Sequence, residues 1–464
     1  MIDFNEVEKY RENNRIEAKK ALGGLPESLW ETYSAFANTM GGVILLGVEE
    51  HSDHSLHTVN LPEPDALIHK FWSIVNDPMR VSINILTDSL VSKHVVDGKN
   101  IVSIEVPRAQ RTDRPVYIDN NPRHGTYRRS GEGDYRCSEE EVESMRRDAE
   151  LKTQDMRVIT ELDTSALDTV VLDRYRSRAL RHNPGYAGLG TEEFLIKTGA
   201  AVRGGDGVLH PTGAGLLMFG YEREIIRVYP QYMAEYIGEA ENGEPLRICG
   251  GNIYEFFFSV YPELIRGIEL DDPEERGAVC GAVREALANA LINADYLGRG
   301  GISVKKNADE IVIENPGSFR VDAETAASGG VSDPRNAALI KLFGYIEVCG
   351  GAGRGIPSIY MTWKNQGWEI PEITELFDPE RISVKLRLRK GKRRLRAPLA
   401  IRTLEREKII VEFLTRNPSA SLMEISEVIG TPRKQTREIL NGLIDKGIIS
   451  SSGSGRCALY MLSR

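Results

Sequence analysis

The sequence predicts an α/β (α+β) multidomain protein, and three observations carry that expectation. The chain has 464 residues, more than one ordinary core holds, so about three domains are expected. Apolar residues recur with a period of two in some stretches and of 3.6 in others, interleaved along the chain, so strands and helices share domains. Charge is also divided: residues 381–464 hold 19 Lys and Arg against 7 Asp and Glu, leaving 40 against 61 for the remainder. A basic end on an acidic body suits either a polyanionic partner for the C-terminus or a solvated face with a basic linker.

Composition excludes several classes. At 41% hydrophobic and 27% charged residues, the chain is a packed protein and not a disordered one. No apolar run approaches the roughly 20 residues that span a bilayer, so no membrane partner is expected. The start, "MIDFNEVEKYRENN", lacks the apolar core of a signal peptide. Five cysteines (Cys137, Cys249, Cys280, Cys349, Cys457) stand far apart with no CxxC pair. They argue against a disulfide framework and a zinc module, and for a reducing, cytoplasmic setting.

Five stretches follow in order. In residues 1–150, "RIEAKK" alternates as a strand, and Leu29, Trp30, Tyr33, Phe36 and Met40 form one face of a helix. "GGVILLGVEE" reads as a single strand buried on both faces, and "NIVSIEVP" as a strand ended by Pro107. "GTYRRSGEGDYRCSEEEVESMRRDAE" gives a strand, a glycine turn and a helix that Ser138 caps with Glu141. Residues 155–270 form a mixed middle segment, in which the glycines of "HPTGAGLLMFG" serve packing against a helix.

Residues 271–390 hold the most suggestive order. In the helix of "ERGAVCGAVREALANALINADYLGRGG", Glu285 and Asn289 are four apart and share a face. A carboxylate beside an amide oxygen suits a hydrated Mg²⁺, and equally an ordinary helix surface. "GISVKKNADEIVIENPGSF" is a hairpin ending at Pro316-Gly317; "GGAGRGIPSIY" is a glycine loop feeding a helix; "ERISVKLRLRK" is a closing strand. Glycines let backbone approach phosphate oxygens, and a helix start offers free N–H donors. This order resembles the GHKL ATPase superfamily of gyrase, Hsp chaperones, histidine kinases and MutL, and implies an α/β sandwich. The resemblance implies that Glu285 is the ATPase base and that Asn289 holds Mg²⁺. It places Glu314 and Gly317 at the adenine box and Gly351, Gly353 and Gly355 at the phosphates of ATP. Two departures stand out: Glu314-Asn315-Pro316-Gly317 replaces Asp-x-Gly-x-Gly, and Pro357 follows the loop.

Glu17 and Lys19, Ala35-Phe36-Ala37-Asn38-Thr39 with Gly41-Gly42, and Gly47-Val48-Glu49-Glu50 closely resemble the Schlafen AlbA-like (divergent AAA) domain. The resemblance covers nearly all of the first 150 residues. It implies a metal-dependent RNA-cutting site at Glu12, Glu17 and Glu49 (or Glu50), with Arg128 and Arg129 as phosphate contacts. Beside it, His51, Asp53, His54 and His57 form either a zinc or manganese set or a solvated turn.

A basic linker at 391–400 precedes the last domain, 401–464. There Ile409, Ile410, Phe413 and Leu414 mark one helix. Ser421 caps a second, with Ile425, Val428 and Ile429 facing inward. Thr431 caps a third, with Pro432 at its first position. Arg433, Lys434, Gln435, Arg437 and Asn441 face outward from it, and Arg456 sits near the tip of a two-stranded wing. This is similar to the winged helix–turn–helix of transcription regulators, which implies duplex DNA as partner. Taken together, the order resembles one bacterial family read as transcription regulators. The expectation is a DNA-binding regulator, dimeric on symmetric half-sites, with a nucleotide or other small-molecule effector. The alternative is a metal-dependent nuclease or an ATPase targeted by its winged helix.

Overall fold

The computed structural model describes residues 10–321, 326, 329–349, 355–377, 379–389, 399–446, 448–452 and 458–463. Near the N-terminus, β1 (Ile16–Lys19), β2 (Gly42–Leu46), β5 (Val91–Val96) and β6 (Lys99–Val106) form a sheet of order β1-β2-β6-β5. Strand β1 runs parallel to β2, and the other pairs are antiparallel. Helices α1 (Ser28–Asn38) and α2 (Pro64–Val75) pack over it, burying Leu29, Trp30, Tyr33, Phe36 and Phe71. Helix α1 ends before Met40, because Thr39 leaves helical geometry. The single strand expected in "GGVILLGVEE" is two: Gly47 takes φ +80°, and β3 (Val48–Glu50) turns away to pair with β4 (Leu56–Thr58). A hairpin of β7 (Tyr127–Ser130) and β8 (Gly133–Arg136) leads to α3 (Glu139–Ala149), which carries the expected Ser138–Glu141 capping box.

The middle segment adds α4 (Thr169–His182), α5 (Thr191–Thr198), the β9 (Ala201–Arg203)–β10 (Leu209–Pro211) hairpin, α6 (Gly213–Phe219) and α7 (Glu222–Val228). Close packing explains the glycines of α6, since a Cβ on Gly215 would lie 1.9 Å from the Ala200 carbonyl oxygen. Next come β11 (Ala234–Glu239), β12 (Pro245–Cys249), α8 (Ile253–Ile265) and the long α9 (Pro273–Asn293). The main sheet also takes in β13 (Ile302–Lys306), β14 (Glu310–Pro316), β15 (Glu372–Phe377) and β16 (Glu380–Arg387), in the order β12-β11-β13-β14-β16-β15. Parallel pairing of β11 with β13 carries this sheet across the boundary expected at 270/271. One continuous core spans both sides of that boundary, from Ile159 to Leu386. Apolar branched residues on alternate positions dictate the burial: Ile311 and Ile313 of β14 face inward under α9, where Val283, Leu287 and Leu291 are fully buried.

Two shorter helices complete that half, α10 (Ala337–Tyr345) and α11 (Gly355–Asn365). The buried Asp155 carboxylate accepts the Ala338 and Leu339 N–H groups at 2.8 Å, capping α10 from the middle segment. The last described unit has α12 (Leu399–Arg416), α13 (Leu422–Val428) and α14 (Arg433–Asp445) around Ile410, Leu414, Ile425, Leu440 and Leu443. Its sheet is β17 (Ala420–Ser421), β19 (Leu459–Leu462) and β18 (Ile449–Ser452), in the order β17-β19-β18. Ser421 caps α13 with Glu424, as expected. Pro432, not Thr431, occupies the cap of α14, and Val428 is exposed, not inward.

Candidate functional site

Helix α9 presents Glu285 and Asn289 to the first residue of α11. A Cβ on Gly355 would lie 2.5 Å from Glu285 Oε1 and 2.6 Å from Asn289 Nδ2. No side chain fits there without displacing both groups, which is why a glycine opens this helix. The three residues line one cavity whose apolar walls include Ala286, Ala290, Ile356, Ile359 and Val384. Asn315 and Arg320 bring polar groups into it. An apolar pocket with a few convergent polar groups is the usual form of a small-molecule site.

Glu314 does not join them. Neighbours on a strand point to opposite faces, so Asn315 is the buried residue that lines the cavity. Glu314 stands on the other face, 4.0 Å from Arg381. The signal was in the sequence: Asn315-Pro316-Gly317 keeps the spacing of Asp-x-Gly, with an amide for the carboxylate. Gly317 takes φ +101° and lies over Arg335, whose NH2 would be 2.8 Å from a Cβ there. Gly351 and Gly353 lie outside the described residues, and Pro357 is the third residue of α11.

Sequence reasoning missed the two cations that line this cavity, Arg320 and Arg335. Arg320 has a side chain only 5% exposed. Its terminal nitrogens donate to the carbonyls of Pro334 and Asp148, both at 3.0 Å. The Nε–H has no acceptor among the described residues, and Asp333 Oδ2 is 3.8 Å away. Burial holds its pKa below the ordinary arginine value, against the pull of Asp148 and Asp333.

The rim of the cavity is also the seam with the N-terminal unit. Arg335, buried, pairs with Asp148 at the end of α3 and donates to the Ser318 carbonyl at 2.9 Å. Arg147 reaches Asp295 at 3.0 Å, and Arg111 pairs with Asp333. Arg108 takes Glu375 in a two-pronged contact of 2.5 and 2.8 Å and also holds the Phe319 carbonyl at 3.0 Å. Charge-assisted pairs of this form are strong and directional. Beside them, burial pushes the Glu380 carboxyl up to about 7, although Arg335 and Arg114 oppose the shift. The folded chain therefore keeps a proton on Glu380 that the unfolded chain releases near its ordinary 4.5. The Glu380 contribution to stability is expected to fall by about 3 kcal/mol as pH rises from about 4.5 to about 7.5. Urea midpoints across that range should show the slope in the wild type and lose it in Glu380→Gln.

In the N-terminal unit, Glu17 is locked by Lys19 at 2.6 Å and by Arg129 at 2.8 Å. Glu12 accepts the Ala18 N–H at 2.9 Å. Its pKa is raised, first by burial and then by Glu17 and Glu50, against that hydrogen bond. Glu49 instead pairs with Lys20, chiefly through a hydrogen bond that lowers its pKa. Glu50 faces His54 at 3.0 Å. Arg129 is buried against Glu17, Asp134 and the Asn13 carbonyl, and Arg128 pairs with Glu141 at 2.8 Å. Both arginines are thus engaged within the protein. The His51–His57 rings stack at 3.9 Å while Ser55 bonds Asp53 and His57, a self-satisfied turn. Among the described residues, no group of three or more His, Cys, Asp or Glu side chains is placed to hold a metal ion.

On α14, Arg433, Lys434, Arg437 and Asn441 are exposed and Gln435 half-buried. Arg456 and residues 390–398 of the basic stretch lie outside the described residues. No described helix is long and apolar enough to cross a membrane.

Comparison with known proteins gives three family matches. Residues 12–138 match the family described as "Schlafen, AlbA_2", and residues 143–235 match a "Domain of unknown function (DUF8451)". Residues 300–386 match "Putative ATP-dependent DNA helicase recG C-terminal". No curated protein matched. Among solved structures, the DIP2311 protein of Corynebacterium diphtheriae is 17% identical with a TM-score of 0.41, covering 97% of this chain and 95% of its own. The N-terminal domain of a "Putative ATP-dependent DNA Helicase RecG-related Protein" from Nitrosomonas europaea is 29% identical with a TM-score of 0.24. That match covers 30% of this chain and 94% of the other. On these matches, the chain joins a Schlafen AlbA_2-like unit to a RecG-C-terminal-like, ATPase-like unit.

Proposed function

We propose that the chain is a DNA-binding regulator whose ATPase-like cavity takes a nucleotide or another small anionic ligand. The observation that carries the ligand site is the convergence of Glu285, Asn289, Asn315 and Gly355 on one cavity. The residues present fit ATP with Mg²⁺: Asn289 and Glu285 would face the ion, Arg320 would meet negative charge, and the Asn315 amide would meet the base. Magnesium bound there would polarise phosphate oxygens and bound water.

The last unit reads as a winged helix, with α14 as the recognition helix and β18–β19 as the wing. Arg433 and Lys434 open that helix, where base edges and phosphates are met. Arg433→Ala/Lys434→Ala is expected to cut duplex affinity at least tenfold and to lower the salt slope by about 1 to 2. Fluorescence anisotropy over a salt series checks this, and unchanged affinity would remove α14 as the reader.

A second reading, metal-dependent cleavage of RNA or single-stranded DNA, is favoured by one observation. Glu12 and Glu17 fall in the stretch that matches the Schlafen AlbA_2 family, and Glu12 accepts the N–H of Ala18, next to Glu17. Under that reading Mn²⁺ or Mg²⁺ supports cleavage by the wild type, and Glu17→Ala abolishes it. Intact substrate after incubation of the wild type with either metal removes it.

A further inference from the structure

The middle segment carries a feature that neither the ligand cavity nor α14 uses. Helix α4 buries Val171, Leu172, Tyr175 and Ala179 on one face. Its opposite face sets Arg174, Ser177, Arg178 and Arg181 in one exposed stripe, at the i, i+4 and i+7 spacing that aligns three guanidiniums over about 10 Å of helix. This stripe forms one wall of an open groove whose other wall is α8, with Tyr254, Phe258 and Ser259.

Among the described residues, Arg174, Arg178 and Arg181 make no ion pair, although Arg108, Arg111, Arg129, Arg147 and Arg335 all do. Asp173 and Glu255 line the same groove without pairing to them. Three like charges side by side repel one another, and the two unpaired carboxylates offset them only in part, so the groove keeps a net positive charge. The middle arginine is also held in position. Arg178 sits over Phe258, its Cζ 4.0 Å from the ring centroid, and its charge opposes the rise that burial gives the Tyr254 pKa. Stacking of this kind fixes a guanidinium while leaving its N–H edge to a ligand. All this stands within residues 1–380, where acidic groups exceed basic ones by 61 to 40. The stripe is a local reversal of the prevailing charge.

We propose that the α4–α8 groove is a second nucleic-acid contact, gripping the phosphodiester backbone of duplex DNA without reading its sequence. Charge complementarity selects a polyanion, and the arginine edges match phosphate oxygens. A lipid surface is disfavoured because, among the described residues, Val170 is the only exposed large apolar side chain in the groove, too little to enter a bilayer. The proposal rests on the reading of the chain as a DNA-binding protein.

The test uses the full chain and a duplex of arbitrary sequence, with affinity measured by anisotropy over a salt series. Replacing Arg174, Arg178 and Arg181 together by alanine is expected to lower the slope of log affinity against log salt by about 2 to 3, near 0.9 per phosphate lost. Affinity at low salt should fall at least tenfold. Replacing the same three by lysine should keep most of the slope, which separates lost charge from lost packing. Wild-type slope and affinity in the alanine triple would overturn the groove while leaving the α14 reading intact. A wild type that binds no duplex would overturn both. Displacement of bound DNA by phosphatidylserine vesicles in the wild type but not in the alanine triple would assign the groove to a membrane surface and overturn the proposal.

Discussion

Asp148→Ala is expected to destabilise the chain by about 3–5 kcal/mol, the usual result when one member of a buried ion pair is removed. The Asp148 and Arg335 side chains are 9% and 8% exposed, so water cannot take over the lost partner. Burial alone would depress the arginine, and Asp148 is the first group that reverses this, with Asp295 second. Asp295 is itself shared with Arg147, so it compensates only in part. The Asp148 backbone carbonyl also receives Arg111 and Arg320, and those bonds survive the substitution. The loss therefore reports the carboxylate alone. Urea unfolding followed by tryptophan fluorescence reads both sides of the seam, because Trp30 and Trp72 lie in the N-terminal unit and Trp363 and Trp368 in the ATPase-like unit. The double replacement Asp148→Leu/Arg335→Met should recover most of the stability, since a buried pair and an apolar pair of similar size are often equivalent. A midpoint unchanged by Asp148→Ala would show that α3 does not dock as described.

Much of this was legible from local pattern. The Ser138–Glu141 and Ser421–Glu424 capping boxes, the β13–β14 hairpin and the Glu285–Asn289 face of α9 all follow from periods and caps that neighbouring residues decide. What the pattern did not show depends on distant partners. Strand β15 escapes the pattern because "EITELF" is short and mixed; it exists as an edge strand on β16, with Glu375 and Glu372 answering Arg108 and Arg387. The expected 270/271 boundary does not divide the sheet, because β11 pairs with β13, 68 residues later at Ala234↔Ile302. The choice of Glu314 over Asn315 is a one-residue matter, and on a strand one residue inverts the face. Arg320 carried no signal at all in sequence, because an arginine becomes a buried donor only when a second unit closes over it.

The largest effect on ligand binding is expected from Gly355. A Cβ added there would meet atoms at 2.5 and 2.6 Å, the tips of Glu285 and Asn289, flexible ends that yield without unfolding the chain. Gly355→Ala therefore leaves the unfolding midpoint near the wild type while it pushes apart the two groups that would face Mg²⁺. ATP affinity measured by calorimetry in Mg²⁺ is expected to fall at least tenfold, and as far again in Asn289→Ala, where the amide is gone instead of displaced. Arg320→Gln gives a different signature. It removes the charge but keeps a donor near the Pro334 carbonyl, so ATP should weaken about tenfold or more while adenosine is little affected. Geometry makes these outcomes separable. Under the proposed reading, Gly355 and Asn289 would act at the metal and phosphate end of the cavity, and Arg320 only through charge. If the wild type binds ATP and adenosine equally, Arg320 does not meet phosphate; if Gly355→Ala binds ATP as the wild type does, the first turn of α11 is not at the phosphates. Should the wild type bind neither, the cavity is not a nucleotide site.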